Sequence, residues 1–334
     1  MDITTVADDL IVAHRAGEGG EVVRLTDLHP ASIYHVGNYE VQTLPRPPGE
    51  LLCRFGTVND LHFGEVECGK IDGDPRGPIE RVEPGEPPHP VTMNQAAVAE
   101  MAATGLAAVI VKGDVSNDGT DDEFTAFEAC YRDAFGDRLH VTRGNHDSYR
   151  GQHCYASDEW IELPGVCVAL LDTVLPEQTT GTISAAQLQW LEDLVAAADR
   201  PVIVLGHHQQ WISGRRHPGY FGLDPDSSDA LSAIAARHSR IVAYAAGHTH
   251  RHRLRQMSCG VPSIEVGCVK DFPGTWAEYR VYDGGITQVV HRLSSPKALN
   301  WSERCRHLLA DFGIDYERYA LGNLEDRCFN IPLR

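Results

Sequence analysis

The stretch Leu139-His140-Val141-Thr142-Arg143-Gly144-Asn145-His146-Asp147 runs from a short apolar strand type into an amide, an imidazole and a carboxylate. Four other pieces of the chain follow the same plan. Asp60-Leu61-His62 follows Leu52 to Val58, and Gly113-Asp114 follows Ala107 to Lys112. Gly206-His207 follows Val202 to Leu205, and Gly247-His248-Thr249-His250 follows Ile241 to Ala245. The strand types alternate with helical patterns over about 91–104, 121–135, 184–198 and 229–238. Ser184 is placed to cap the third of these, with Leu188, Leu191, Leu194 and Val195 on its apolar face. Strands alternating with helices predict an α/β layered domain. Such sheets place their sites at the C-terminal ends of strands, where all five pieces lie.

The chemistry of the five pieces converges. They offer two carboxylates (Asp60, Asp114), one amide oxygen (Asn145) and four imidazoles (His62, His207, His248, His250), with His146 left over for proton transfer. Hard or borderline divalent metals take oxygen and imidazole donors of this kind. Asp60 and His62 stand two apart, so on an extended segment both side chains face one way. Gly113 lets the chain turn sharply before Asp114. Singly, each piece is weak: an Asp after a strand is more often a turn or cap residue, and with 17 histidines in the chain a paired His is not rare. The order and company of the five carry the argument.

Bulk properties bound the rest. The 334 residues suffice for one large domain with additions, and 42% apolar content supports a sizeable core. The net charge of −18 disfavours nucleic-acid binding, which needs basic patches. An anionic substrate remains acceptable, because two divalent cations outweigh the charges of Asp60 and Asp114. Nine cysteines without a C-x-x-C pair point to reduced thiols. No stretch approaches the roughly 18 apolar residues of a membrane helix. Residues 1–9 carry acids and no basic segment, which is unlike a signal peptide. A soluble cytoplasmic protein without membrane insertion is expected.

In type and order, the five pieces resemble the calcineurin-like metallophosphoesterase superfamily, over about Leu51 to Arg292. The Asp-Leu-His, Gly-Asn-His-Asp and Gly-His-Thr-His forms look closest to class III cyclic-nucleotide phosphodiesterases. The resemblance implies a four-layer αββα sandwich of two mixed sheets flanked by helices. It implies one metal held by Asp60, His62 and His250, a second held by Asn145, His207 and His248, and Asp114 bridging them. His146 is then the proton donor facing the substrate, with Asp147 orienting its ring. The implied reaction is hydrolysis of a phosphodiester, with a cyclic nucleotide the leading choice, by hydroxide generated between two metals. A phosphomonoesterase or nucleotide pyrophosphatase using the same site, a nuclease of the superfamily, and a scaffold that has lost catalysis are the rivals. Manganese, iron, zinc and cobalt, divalent or mixed-valence, all suit the donors. Two departures narrow the choice. Purple acid phosphatases place a tyrosine where Asn117 stands, and phosphoprotein phosphatases carry an arginine motif absent after Asp114.

Three divisions are expected: a β appendage over 1–47 with a partial fibronectin III likeness, the metal-binding domain over 51–295, and a helical extension over 296–334 that could pair two copies as a homodimer. Residues 64–90 read as a long excursion. Arg251 and His252 are expected at the edge of the site, with His208 a weaker candidate for substrate contact. The arginines of the loop over 213–220 read as a basic surface loop. Trp276, Trp301 and Tyr316 read as packing residues.

Overall fold

The computed structural model describes all residues except 18, 72, 75, 213–220 and 334. The loop over 213–220, with its arginines, therefore lies outside the described residues. The strands, in chain order, are β1 (Asp2–Val6), β2 (Ile11–His14), β3 (Val22–Leu25), β4 (Ile33–Val36), β5 (Tyr39–Gln42), β6 (Leu51–Val58), β7 (Ala108–Lys112), β8 (Leu139–Thr142), β9 (Glu159–Leu163), β10 (Val166–Leu170), β11 (Val202–Leu205), β12 (Ile241–Ala246), β13 (Arg253–Gln256), β14 (Pro262–Glu265), β15 (Thr275–Tyr282), β16 (Gly285–Arg292) and β17 (Phe329–Pro332).

Twelve of these form two six-stranded sheets, ordered β17-β16-β15-β6-β7-β8 and β13-β14-β12-β11-β10-β9. Strands β6, β7 and β8 run parallel, as do β10, β11, β12 and β14. Antiparallel strands complete both sheets, so each is mixed. Residues such as Phe55, Ile110, Val168, Ile203, Ala245 and Tyr279 fill the space between them, with Phe55 stacked on Tyr279 at 4.8 Å. Helices cover the outer faces. Helices His89–Ala102, Asp121–Phe127 and Pro296–Arg304 share a core on the first sheet, and Ala185–Ala197 and Pro225–Arg237 share one on the second. The result is the four-layer αββα sandwich. No helix among the described residues is long and apolar enough to cross a membrane.

The parallel strands read easily because both their faces are buried and their sequences are continuously apolar. The sequence pattern does not mark β1, β9, β13 or β17 as strands. β9 and β13 are sheet edges and mix charge with apolar residues; β1 is short, opens on Asp2 and runs into Asp8 and Asp9; β17 ends in a proline, which an edge tolerates. The region after 296, expected to be helical, thus ends in a strand paired with β16. Its first helix begins at Pro296, where Ser295 and Pro296 form the start signal.

Strands β1–β3 make an antiparallel sheet and β4–β5 a hairpin. They share a small core with Val289 of β16 and Cys328. Buried Arg280 of β15 meets Asp8 at 2.8 Å, Asp9 at 2.7 Å and Glu278 at 3.1 Å. This cation neutralises Asp8 and Glu278, themselves buried. Arg280→Ala is expected to destabilise the fold by about 3 kcal/mol, since it strands buried charges. The measurement is the urea unfolding midpoint; an unchanged midpoint would show that Arg280 does not hold the N-terminal strands.

Candidate metal centre

Five of the seven candidate ligands are launched from strand ends by unusual backbone. Asp60, His62, Asp114, His248 and His250 all have φ between +48° and +69°. Left-handed backbone at such residues costs on the order of 1–3 kcal/mol each and persists only when surrounding structure enforces it. Packing here does so. A Cβ on Gly113 would come within 2.6 Å of both the Gly144 nitrogen and His207 Nδ1, and one on Gly144 would overlap Asp114. Glycine at both places lets the loops after β7 and β8 touch. The two sheets are joined beneath them by buried Lys112, whose Nζ donates to the Ala246 carbonyl at 3.0 Å.

One group of donors gathers around His207. Its Nε2 lies 3.2 Å from Asp114 Oδ2, 3.2 Å from Asn145 Oδ1 and 3.1 Å from His248 Nδ1. Outer contacts settle which atoms point inward. His207 Nδ1 meets the Lys112 carbonyl at 2.8 Å, and His248 Nε2 meets the Phe221 carbonyl at 2.7 Å. A carbonyl only accepts, so those nitrogens carry hydrogen. The Asn145 amide nitrogen donates to the Tyr149 hydroxyl at 3.0 Å, turning its oxygen inward. Lone pairs of a carboxylate, an amide and two imidazoles therefore converge on one point. A single proton on His207 Nε2 can satisfy only part of this group; a cation satisfies all four.

The second group is Asp60, His62 and His250, whose donor atoms lie within 4.8 Å of one another. Asp60 is held by the His248 amide at 3.0 Å and by Asn59 Nδ2 at 2.6 Å. His250 Nε2 stands 3.8 Å from Asp60 Oδ1. His62 is buried, and neither of its ring nitrogens has a hydrogen-bond partner among the described residues. An imidazole left bare in the interior is costly unless something binds it, which fits a metal ligand. Asp114 Oδ2 lies 3.6 Å from His62 Nε2 and 3.2 Å from His207 Nε2, so one oxygen faces both groups. The residues present therefore fit a two-metal centre.

Electrostatics agree. Burial pushes His62 well below the ordinary histidine range and, with His207 nearby, lowers His248 to about 3. Both rings are neutral, as ligands must be. For His207 burial opposes the charged form, but Asp114 outweighs it and raises the pKa to about 9. Burial likewise opposes charge on Asp114, yet His207 and His146 hold it well below the usual carboxylate range. A proton held between them would lie where a metal would sit, so metal binding would release it.

His146 stands beside this centre, its ring 4.5 Å from that of His62. Its amide donates to Asp114 Oδ1 at 3.0 Å. The expectation that Asp147 orients its ring is not met. His146 Nδ1 instead meets the Asn117 carbonyl at 2.6 Å. The Asp147 carboxylate is taken up by the amides of Val115, Ser116 and Gly144 at 3.0, 2.7 and 2.8 Å and by the Ser116 hydroxyl at 2.7 Å. Burial and Asp114 push its pKa up to about 6 against those donors. Asp147 welds the loop after β7 to the loop after β8. A carboxylate next in sequence to a histidine suggests a pair, but their side chains diverge here.

Other expected positions sort clearly. His208 is buried, meets Thr173 Oγ1 at 2.8 Å, and has donor atoms grouped with His207 and His248. His252 is not at the edge of the site: it is buried and binds the Gly267 amide and Thr275 hydroxyl at 3.2 and 3.1 Å. Arg251 is paired with Glu265 at 2.7 Å. Trp276, Trp301 and Tyr316 are buried packing residues. Asn117, Phe221 and Lys112 were missed because they act through backbone carbonyls, which no side-chain pattern reveals. Asn59 carried a usable sign, a polar residue directly before Asp60 at the end of a strand.

Known proteins share this arrangement of chain. The sequence is 24% identical over 155 residues to a probable glycerophosphodiester phosphodiesterase of Arcobacter nitrofigilis, covering 43% of this chain and 56% of that one. It is 23% identical over 149 residues to a probable cyclic nucleotide phosphodiesterase of a Synechococcus strain, covering 43% and 57%. The chain thus spans a little over half the length of the curated relatives it matches. Among solved structures, a dimetal phosphatase from Danio rerio superposes with a TM-score of 0.57 at 17% identity, over 73% of this chain and all of that one. A purple acid phosphatase from yellow lupin (Lupinus luteus) seeds superposes with a TM-score of 0.52 at 13% identity, over 86% and 57%. Both share the fold. The model of the calcineurin-like phosphoesterase matches residues 53–252, a span that holds every converging donor from Asp60 to His250, and the chain belongs to that family.

Proposed function

We propose that this protein hydrolyses small phosphodiesters at a two-metal centre, with 3′,5′-cyclic nucleotides as the first substrate class. One observation carries the reading: two sets of inward lone pairs share the Asp114 carboxylate, beside an imidazole that neither set requires. Asp60, His62 and His250 would hold one ion and Asn145, His207 and His248 the other, with Asp114 between them. Such ions, when bound, supply the positive charge that stabilises a phosphoryl transition state and lowers the pKa of water. The donor set suits manganese, iron, zinc or cobalt.

The chain's own residues do the remainder. The Asn117 carbonyl fixes the hydrogen on His146 Nδ1, so Nε2 is the atom that exchanges a proton. His146 delivers that proton to the leaving alkoxide oxygen. Asp147 keeps the backbone of His146 in register with Asp114. Asn59 and the His248 amide hold Asp60 as an acceptor. A diester is supported by the names of the two curated relatives, both phosphodiesterases. The acidity of the chain supports a small substrate over a long nucleic acid.

Three results are expected. Asp114→Ala abolishes metal-dependent turnover of an aryl phosphodiester and of cyclic nucleotides; full activity in that variant would end the two-metal reading. Faster turnover of aryl monoesters than diesters by the unaltered protein would replace the diester with a monoester. His146→Ala lowers kcat by about 10²–10⁴ while metal content, measured by elemental analysis, stays unchanged; loss of metal would make His146 a ligand instead. Chelation lowers the melting temperature, because a ligand at 100 times its Kd stabilises by about 2.7 kcal/mol per site. An identical melting curve with and without chelator would contradict this.

A further inference from the structure

His250 differs from the other candidate ligands in what surrounds it. The outer partners of His207 and Asn145 come from within residues 53–252, as does that of His248. Those of His250 come from beyond it. The ring stands between two carboxylates: Nε2 is 3.8 Å from Asp60 Oδ1 and Nδ1 is 3.9 Å from Asp271 Oδ2. A carboxylate behind a ligating histidine orients the ring and raises its basicity; at 3.9 Å Asp271 acts as a neighbouring charge and not as a hydrogen-bond partner. Asp271 is itself buried and fixed from several sides. Lys270 Nζ lies 2.9 Å from its Oδ2, and Tyr316 Oη donates to its Oδ1 at 2.9 Å.

The backbone that carries His250 is held by the same helix. In Tyr316–Leu321, Tyr319 Oη donates to the Thr249 carbonyl at 2.9 Å. The Tyr319 ring lies 5.1 Å from the Arg251 guanidinium. The His252 amide donates to the Ala320 carbonyl at 3.0 Å. Contacts thus grip residues 249, 251 and 252 around a histidine whose own φ is +53°. Left-handed backbone at a non-glycine residue relaxes unless it is held.

We propose that Asp271, Tyr316 and Tyr319 are positioning residues for His250, so that the segment beyond the family match sets metal affinity at the Asp60–His62–His250 half of the centre. This rests on the reading that the two groups hold metal. None of the three touches substrate; they act through the ligand.

The test is Mn²⁺ binding to metal-stripped full-length protein, with free Mn²⁺ read by electron paramagnetic resonance. Asp60→Ala and His207→Ala mark which class of site belongs to which half. Tyr319→Phe, which keeps the ring and its packing, and Asp271→Asn are expected to weaken the class lost in Asp60→Ala by about 10- to 100-fold. The class lost in His207→Ala should keep its affinity. Melting of metal-stripped Tyr319→Phe should match the parent, which separates positioning from folding. Wild-type isotherms in Tyr319→Phe, or weakening confined to the His207 half, would overturn the proposal, and Tyr319→Phe decides alone if Asp271→Asn does not fold. The same isotherms are run with Zn²⁺ or Co²⁺ if Mn²⁺ does not bind, and failure of the unaltered protein to bind Mn²⁺, Fe²⁺, Zn²⁺ or Co²⁺ would overturn the metal-centre reading itself.

Discussion

One oxygen, Oδ2 of Asp114, faces imidazoles from two sides, and the architecture exists to hold it there. A buried carboxylate ringed by inward lone pairs is unfavourable until positive charge balances it. The sandwich sustains that arrangement because the donors come from both sheets. Asp60, Asp114 and Asn145 leave the parallel strands of one, and His207 and His248 those of the other. Neither sheet alone completes the donor set. The apolar layer between the sheets fixes their separation, and Lys112 ties them directly beneath the loops. Core packing thereby becomes ligand geometry.

Much of this was legible in the sequence, for reasons that differ by element. β7, β11 and β12 are buried on both faces, so each is a plain apolar run ending at a motif. The donors were legible because metals accept few side-chain types. β13, written Arg253-Leu254-Arg255-Gln256, was not, because an edge strand faces water and reads as polar. The Asp147 role was misread for a related reason. Adjacency in sequence suggested a carboxylate–imidazole pair, whereas the loop geometry sends the carboxylate to backbone amides and leaves His146 to the Asn117 carbonyl. Backbone carbonyls orient three of the site's histidines, and a carbonyl has no letter in the sequence.

The departures from family pattern take on physical meaning in this light. Where purple acid phosphatases supply a phenolate, Asn117 contributes a main-chain oxygen to a neighbouring histidine. In the proposed mechanism the position still serves the site, through the proton rather than the metal. The excursion over 64–90 similarly has a partner: Arg304 joins Glu80 at 2.9 Å, and Lys270 joins Glu65 at 2.7 Å. It packs with the C-terminal segment, and both border the His250 half of the centre.

The pairing of β6 with β15 joins residues more than two hundred positions apart. Every donor from Asp60 to His250 is therefore synthesised before β15, the strand that flanks β6 on the side away from β7. On the ribosome, a nascent chain carries the full set of ligands before it carries the frame that spaces them. Loose histidines and carboxylates follow the general affinity order of metals, whereas a finished cage also selects by geometry. If the donors hold metal as proposed, geometric selection among ions waits until β15 has joined β6.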